Sequence, residues 1–365
     1  MPWIHLHAGY KGKVTACCVA NIPFGNVNEQ NLDEIWNGEA IQTIREKFLR
    51  NESDPRCASC ISVEASGNQS IRQETILEYG GSWLSNPNSN PIYFDIRFSN
   101  LCNYTCRTCW HGASSSWFEE AKELKNTAGD SAIIQNITDY ELFFERYQSV
   151  FKTAKAFYFA GGEPLIMKEH FHLVSWLAEN NPSVSLRYNT NLSSLTYKNH
   201  SLLSLWKKFR KVSILVSLDG IGQGGEYIRK GMNWEKVEAN LEAILQQDAI
   251  QIQIAPTVSL LNVFHLPEMY TYLKRRFNLK VGDWYLNFLE RPFHYNVKAL
   301  PAEMKQSLVK HYDSFDFESE EKKMFQAILD FVNQEDLSNY YTKFKQYNGQ
   351  LDQLRDEAFD TINWL

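Results

Sequence analysis

Six short apolar runs recur along this chain: IYFDIRF (92–98), KAFYFA (155–160), VSLRYN (184–189), VSILVSL (212–218), IQIAPTVSL (252–260) and DWYLNFL (283–289). The stretches between them are longer and carry apolar residues at helical spacing. Examples are HFHLVSWLAEN (170–180) and WEKVEANLEAILQQ (234–247), where Val237, Leu241, Ala243 and Leu245 fall on or near one face. Strands alternating with helices predict βαβ units and a parallel sheet, because each crossover returns the chain to the same end. Six units are too few to close an eight-stranded barrel and suit an open, partly closed one. In such sheets functional groups collect where strands end. Those ends carry Asn100 and Cys102; Gly161, Gly162 and Glu163; Asn189 and Asn191; Ser217 and Asp219; Ser259; and Asn287 with Glu290.

The pattern has two flanks. Before it, LEYGGSWLSNPNSNP (77–91) is dominated by Gly, Pro, Asn and Ser and reads as a linker or long loop. From about Leu300 the chain reads as purely helical, packed on the barrel or forming an appended layer. The expected domains are therefore 1–88, 89–298 and 299–365. A net charge of −6 gives no electrostatic reason to expect nucleic acid. The basic runs KKFRK (207–211) and LKRRF (273–277) read as solvated helix faces. The start, MPWIHLHAGYKGKV, lacks the basic residues and apolar block of a signal peptide, and no run approaches the ~20 apolar residues of a membrane span. The expected compartment is the cytoplasm, where thiols stay reduced and clustered cysteines bind metal more often than they form disulfides.

The seven cysteines form two groups: Cys17, Cys18, Cys57 and Cys60, then Cys102, Cys106 and Cys109. The second group, in LCNYTCRTCW (101–110), follows the first apolar run directly. Structural zinc wants four protein ligands, and the nearest further donor is His111, too close along the chain to Cys109 to serve the same ion. A four-iron cluster on three cysteines leaves one iron open to an organic ligand.

On these residues the chain resembles the radical S-adenosylmethionine superfamily, whose signature is a Cys-x3-Cys-x2-Cys loop after the first strand of a partial (β/α)6 barrel. FAGGEPL (159–165) is similar to that family's Gly-Gly-Glu-Pro motif, and VSLDGIGQGGEYIRKG (216–231) to its strand-four stretch, with a Ser and an Arg twelve residues apart. The resemblance implies an α/β fold built on that barrel, with Cys102, Cys106 and Cys109 holding a 4Fe–4S cluster that chelates S-adenosylmethionine. It implies that the backbone of Gly161, Gly162 and Glu163 meets the cofactor's amine and that Arg229 pairs with its carboxylate. Ser217, with Asn189 or Asn191, would contact the ribose, and Leu289 the adenine. One departure is Thr108, where the family often has an aromatic residue, so that the adenine contact must come from elsewhere, Trp110 or its backbone being candidates.

The first cysteine group has a metal-knuckle spacing at Cys57 and Cys60. The run GKVTACCVANIPFGNVNEQNLDEIWN (12–37) resembles the start of SPASM and twitch domains, which hold an auxiliary iron–sulfur cluster. In most relatives that module follows the barrel; here it precedes it. Adjacent cysteines seldom both reach one cluster, so Cys57, Cys60 and one of Cys17 and Cys18 are the expected ligands, with the other cysteine, His5, His7, solvent or substrate as a fourth. Zinc remains an alternative metal. The expected activity is hydrogen abstraction from a peptide, since SPASM and twitch members concentrate there. The alternatives are oxidation or epimerisation of a carbohydrate-like molecule and, outside enzymes, a zinc-bound scaffold. The resemblance also implies an electron donor such as flavodoxin or ferredoxin, and no membrane partner.

Overall fold

The computed structural model describes residues 1–65, 69–79 and 89–362. Most of the linker expected over 77–91, and the boundary at 88, lie outside the described residues. In chain order the strands are β1 (His5–Ala8), β2 (Lys13–Thr15), β3 (Pro23–Asn26), β4 (Tyr93–Ile96), β5 (Thr105–Cys106), β6 (Ala156–Phe159) and β7 (Ser185–Thr190). They continue as β8 (Thr196–Tyr197), β9 (His200–Ser201), β10 (Lys211–Val216), β11 (Arg229–Lys230), β12 (Ile250–Ile254), β13 (Thr257–Val258) and β14 (Asn287–Phe288). The chain forms two compact units: Met1–Cys102 with Ile133–Tyr188 and Thr196–Ser213, and Asn103–Ala132 with Asn189–Leu195 and Ile214–Leu365.

In the first unit the strands lie in the order β7-β6-β4-β1-β2-β3. Strands β1, β4, β6 and β7 run parallel, as the alternating pattern requires, and β2 and β3 add to β1 as an antiparallel meander. The N-terminal segment thus continues the sheet. Because successive side chains point to opposite faces, register sorts the residues into two sets. Leu6, Phe94, Phe157 and Leu186 stand in one row, and Ala8, Ile96, Phe159 and Tyr188 in another on the same face. All eight are buried, and Phe151 of the helix Tyr140–Phe151 packs edge-on against Phe94 and Phe157. On the opposite face the matching row is His7, Asp95, Tyr158 and Arg187, a polar line where parallel sheets covered on both sides are ordinarily apolar.

The helix Lys168–Asn180 inserts His170 under the apolar face, where its Nε2 lies 3.1 Å from the Tyr188 hydroxyl and its ring meets Phe159 edge-on. Burial pushes this imidazole down to about 3. An imidazole depressed on folding contributes stability that is complete above its unfolded value of about 6.5 and lost as pH falls from there toward the folded value. The melting temperature should therefore drop as pH is lowered from about 6.5 to about 4, and the slope should flatten in His170→Gln. An unchanged slope in that variant would remove His170 from the acid response.

In the second unit two expected strands are altered. The run IQIAPTVSL divides at Pro256, which has no N–H for a ladder, into β12 and β13. The run DWYLNFL keeps only β14, paired in parallel with β13. Its start is taken by a turn over Val281–Asp283, closed by the Lys280 N–H donating to Asp283 Oδ2 at 2.8 Å. The C-terminal helices are as expected, over Ala302–Asp313, Ser319–Asn333 and Tyr341–Arg355.

Candidate iron–sulfur and cofactor site

In the first unit, β6 ends in the turn Gly161–Gly162–Glu163. Both glycines have positive φ, +82° and +58°. A Cβ on Gly162 would lie 2.2 Å from the Leu101 carbonyl oxygen, the residue before Cys102, and the Glu163 N–H donates to that same oxygen at 2.7 Å. The turn therefore rests on the chain entering the cysteine loop, which explains why two glycines stand there. The Glu163 carboxylate is buried and accepts the Leu165 N–H at 3.0 Å, capping the short turn Pro164–Ile166.

The N-terminal thiols also lie in the first unit. Cys17 is buried, and its Sγ accepts the Ala20 N–H at 3.2 Å. Burial raises its thiol above the ordinary range, and Cys60 acts in the same direction. Burial likewise raises Cys57, followed by the field of Cys17, then Asp54 and Cys60. Cys18 is exposed, unlike its neighbour, and the charges acting on it are first Asp95 and Arg97, then Cys17. The two adjacent cysteines thus belong to different surroundings, with Cys17 on the side of Cys57 and Cys60. His5 Nδ1 is engaged by the Ala16 carbonyl at 3.1 Å, and His7 Nδ1 by Asp95 at 2.9 Å. Among the described residues no three of His, Cys, Asp or Glu are already drawn together as a metal site. Three thiols in one another's fields nevertheless suit a thiophilic group, whose binding would displace their protons. Cys17→Ser is accordingly expected to remove the iron that Cys57→Ser removes, and Cys18→Ser to leave it in place, by iron and sulfide analysis of anaerobically prepared protein. Iron retained in Cys17→Ser and lost in Cys18→Ser would reverse the assignment.

In the second unit, β5 and β11 pair antiparallel with Arg229 opposite Cys106. The Arg229 Nη1 lies 3.7 Å from Cys106 Sγ, and its Nε 2.9 Å from Asp219 Oδ2. Burial pushes the guanidinium down, but Asp219 and then Cys106 more than offset this and hold it above its ordinary value. Asp219 also accepts the Thr257 N–H at 2.7 Å, so it orients Arg229 and fastens β13 at once. Ser217 follows β10, its N–H donating to the Thr190 carbonyl at 2.8 Å. Asn191 bonds to Asn103 at 3.0 Å, while the buried Asn189 Oδ1 makes no hydrogen bond among the described residues. Leu289 is held by its N–H on the Val258 carbonyl, at 3.1 Å. Trp110 is half exposed and its ring lies against Gly112. His111 is fully buried, engaged by the Ala128 N–H and by the carbonyls of Ser131 and Ala132.

Sequence reasoning missed the support of the loop. Arg107, between the second and third cysteines, is fully buried and bonds to Asn348, Asp352 and Glu357. Arg355 donates to the Thr105 carbonyl at 2.9 Å and pairs with Glu120, and the Trp117 Nε1 donates to the Cys106 carbonyl at 3.0 Å. No spacing rule links positions some 250 residues apart, and the two arginines look like ordinary helix or loop charges in the sequence.

No curated protein matches the chain. Among solved structures, anSMEcpe with bound AdoMet is similar at 20% identity and a TM-score of 0.42, over 60% of this chain and 57% of that one. SuiB of Streptococcus suis is similar at 11% identity and a TM-score of 0.40, over 75% of this chain and 59% of that one. The chain thus spans less than two thirds of the length of either. The family model described as SPASM, an iron-sulfur cluster-binding domain, matches residues 1–61, the segment holding Cys17, Cys18, Cys57 and Cys60. The chain therefore opens with a segment similar to the SPASM iron–sulfur cluster-binding domain.

Proposed function

We propose that this chain is a radical S-adenosylmethionine enzyme that abstracts hydrogen from a peptide, with an auxiliary iron–sulfur cluster in its N-terminal segment. The observation that supports this best is the pairing of β5 with β11. It brings Cys106 and Arg229, from two motifs far apart in sequence, to one register position. The donor set fits the group: three thiols in eight positions leave an iron-held cluster one corner for a further ligand.

Cys102, Cys106 and Cys109 would hold the 4Fe–4S cluster, and Cys17, Cys57 and Cys60 the auxiliary one. When bound, the first cluster supplies the electron that cleaves S-adenosylmethionine to methionine and a 5′-deoxyadenosyl radical. The protein's own work is positioning and exclusion of water. The Gly161–Gly162 turn keeps its backbone free of side chains, so peptide groups can approach a cationic amine. Asp219 holds Arg229 by Nε and Cys106 meets its Nη1, which leaves Nη2 to meet a carboxylate. Ser217 and Asn189 would take the ribose and Leu289 the adenine. The enzyme would work in the cytoplasm with flavodoxin or ferredoxin as electron donor.

The test is anaerobic incubation with dithionite, S-adenosylmethionine and deuterated candidate peptides. Release of 5′-deoxyadenosine supports the chemistry, and deuterium in it supports the peptide. Protein that carries both clusters yet never releases deoxyadenosine would falsify the assignment.

A further inference from the structure

The loop Cys102–Cys109 contains one charged side chain, Arg107, and the fold spends much of its C-terminal end on it. Its guanidinium lies 3.7 Å from the centroid of the Tyr227 ring, its Nε donates to the Tyr227 carbonyl at 3.1 Å and its Nη1 to Asn348 Oδ1 at 3.0 Å. Its Nη2 meets two carboxylates, Asp352 at 2.6 Å and Glu357 at 2.5 Å. The Tyr227 hydroxyl donates to Asp352 at 2.7 Å and Asn348 Nδ2 bonds to that hydroxyl at 2.7 Å, so the surrounding groups hold one another. Lys230, the residue after Arg229, stands 3.6 Å from Glu357.

Two features exceed what shaping a loop requires. A buried cation needs one counter-charge, and this one has two; an apolar side chain would fill the space without the desolvation cost of an ion. The cation is also next in sequence to Cys106, and its backbone N–H is fixed by the Ile228 carbonyl at 2.8 Å, so neither charge nor loop can drift. Buried charges act over several ångströms with little screening. The reduction potential of a thiolate-bound iron–sulfur cluster responds to nearby net charge, because reduction adds a negative charge.

We propose that Arg107 is a positioning residue of the cysteine loop whose charge, balanced against Asp352 and Glu357 of the C-terminal segment, sets the reduction potential of the cluster held by Cys102, Cys106 and Cys109. This rests on the cluster assignment above. The expected effects have opposite signs. Arg107→Met removes a positive charge and leaves two carboxylates, so the cluster becomes harder to reduce and its potential falls. Asp352→Asn removes a negative charge while keeping a polar group of the same size for Tyr227, so the potential rises. Arg107→Lys keeps the charge and stays nearer the wild type than Arg107→Met.

The experiment is an electron paramagnetic resonance redox titration of the full chain, anaerobically prepared, with iron counted in each variant. The signal followed is the one absent from the Cys102→Ala/Cys106→Ala/Cys109→Ala protein. Opposite shifts at full iron content support the proposal, since a loop merely loosened would move both variants the same way. Shifts of the same sign, or none in Asp352→Asn at full iron content, overturn it. Should Arg107→Met lose its cluster, Asp352→Asn decides alone. A wild-type protein without iron dependent on those three cysteines overturns the cluster assignment itself, and this proposal with it.

Discussion

Replacing Cys102, Cys106 and Cys109 together by alanine should lower bound iron from about eight to about four per chain and abolish deoxyadenosine release. The arithmetic follows from the proposal of two four-iron clusters on separate thiol sets. The first unit holds Cys17 with Cys57 and Cys60, and the second holds Cys106 opposite Arg229. Cys57→Ala/Cys60→Ala should remove a similar amount of iron and leave cleavage of the cofactor intact, because Arg229 and the glycine turn are untouched. The pair of variants separates the two sites. Iron and sulfide unaffected by the triple replacement would sink the reading that this loop holds a cluster.

Gly162→Ala is the second large effect. The residue has φ +58°, a region that costs an L-residue about 1–2 kcal/mol. Its new Cβ would also stand 2.2 Å from the Leu101 oxygen and 2.9 Å from the Asn100 carbonyl carbon. The backbone of Asn100 and Leu101 cannot rotate away as a side chain can, so the turn or residues 100–101 must shift, a strain of about 1–3 kcal/mol. Shifting Leu101 moves the entry to the cysteine loop, so iron content and cofactor binding should fall along with the melting temperature. Gly129→Ala, where nothing lies within 4 Å of the new Cβ, is the control and should change stability by no more than about 0.5 kcal/mol. Equal melting temperatures for the two variants would show that the turn yields freely and does not seat the loop.

The α/β pattern was readable because its signal is local. β4, β6, β7, β10 and β12 appear within a few residues of the apolar runs that announce them. β14 was overestimated because an apolar run does not reveal the turn that Lys280 and Asp283 close ahead of it. The cysteines and glycines of the candidate site stand out by their spacing. The pairing of Asp219 with Arg229 does not, since an Asp before Gly also reads as a turn residue, and only the folded chain shows the ion pair. The difference between the surroundings of Cys17 and Cys18 also needed the structure, because neighbours along a chain share a sequence context while their sulfurs face different charges. Arg107 was least legible of all, for its partners come from the other end of the chain.

The placement of β1 between β4 and β2 bears on how such a protein can be truncated. A version starting after the first cysteine group would leave β4 with a bare line of amide and carbonyl groups over four residues, and would uncover the buried carboxylate of Asp95 that His7 engages. Exposed edges of that kind invite pairing between molecules. The leading segment is structurally a side wall of the parallel sheet, and a protein trimmed of it should aggregate.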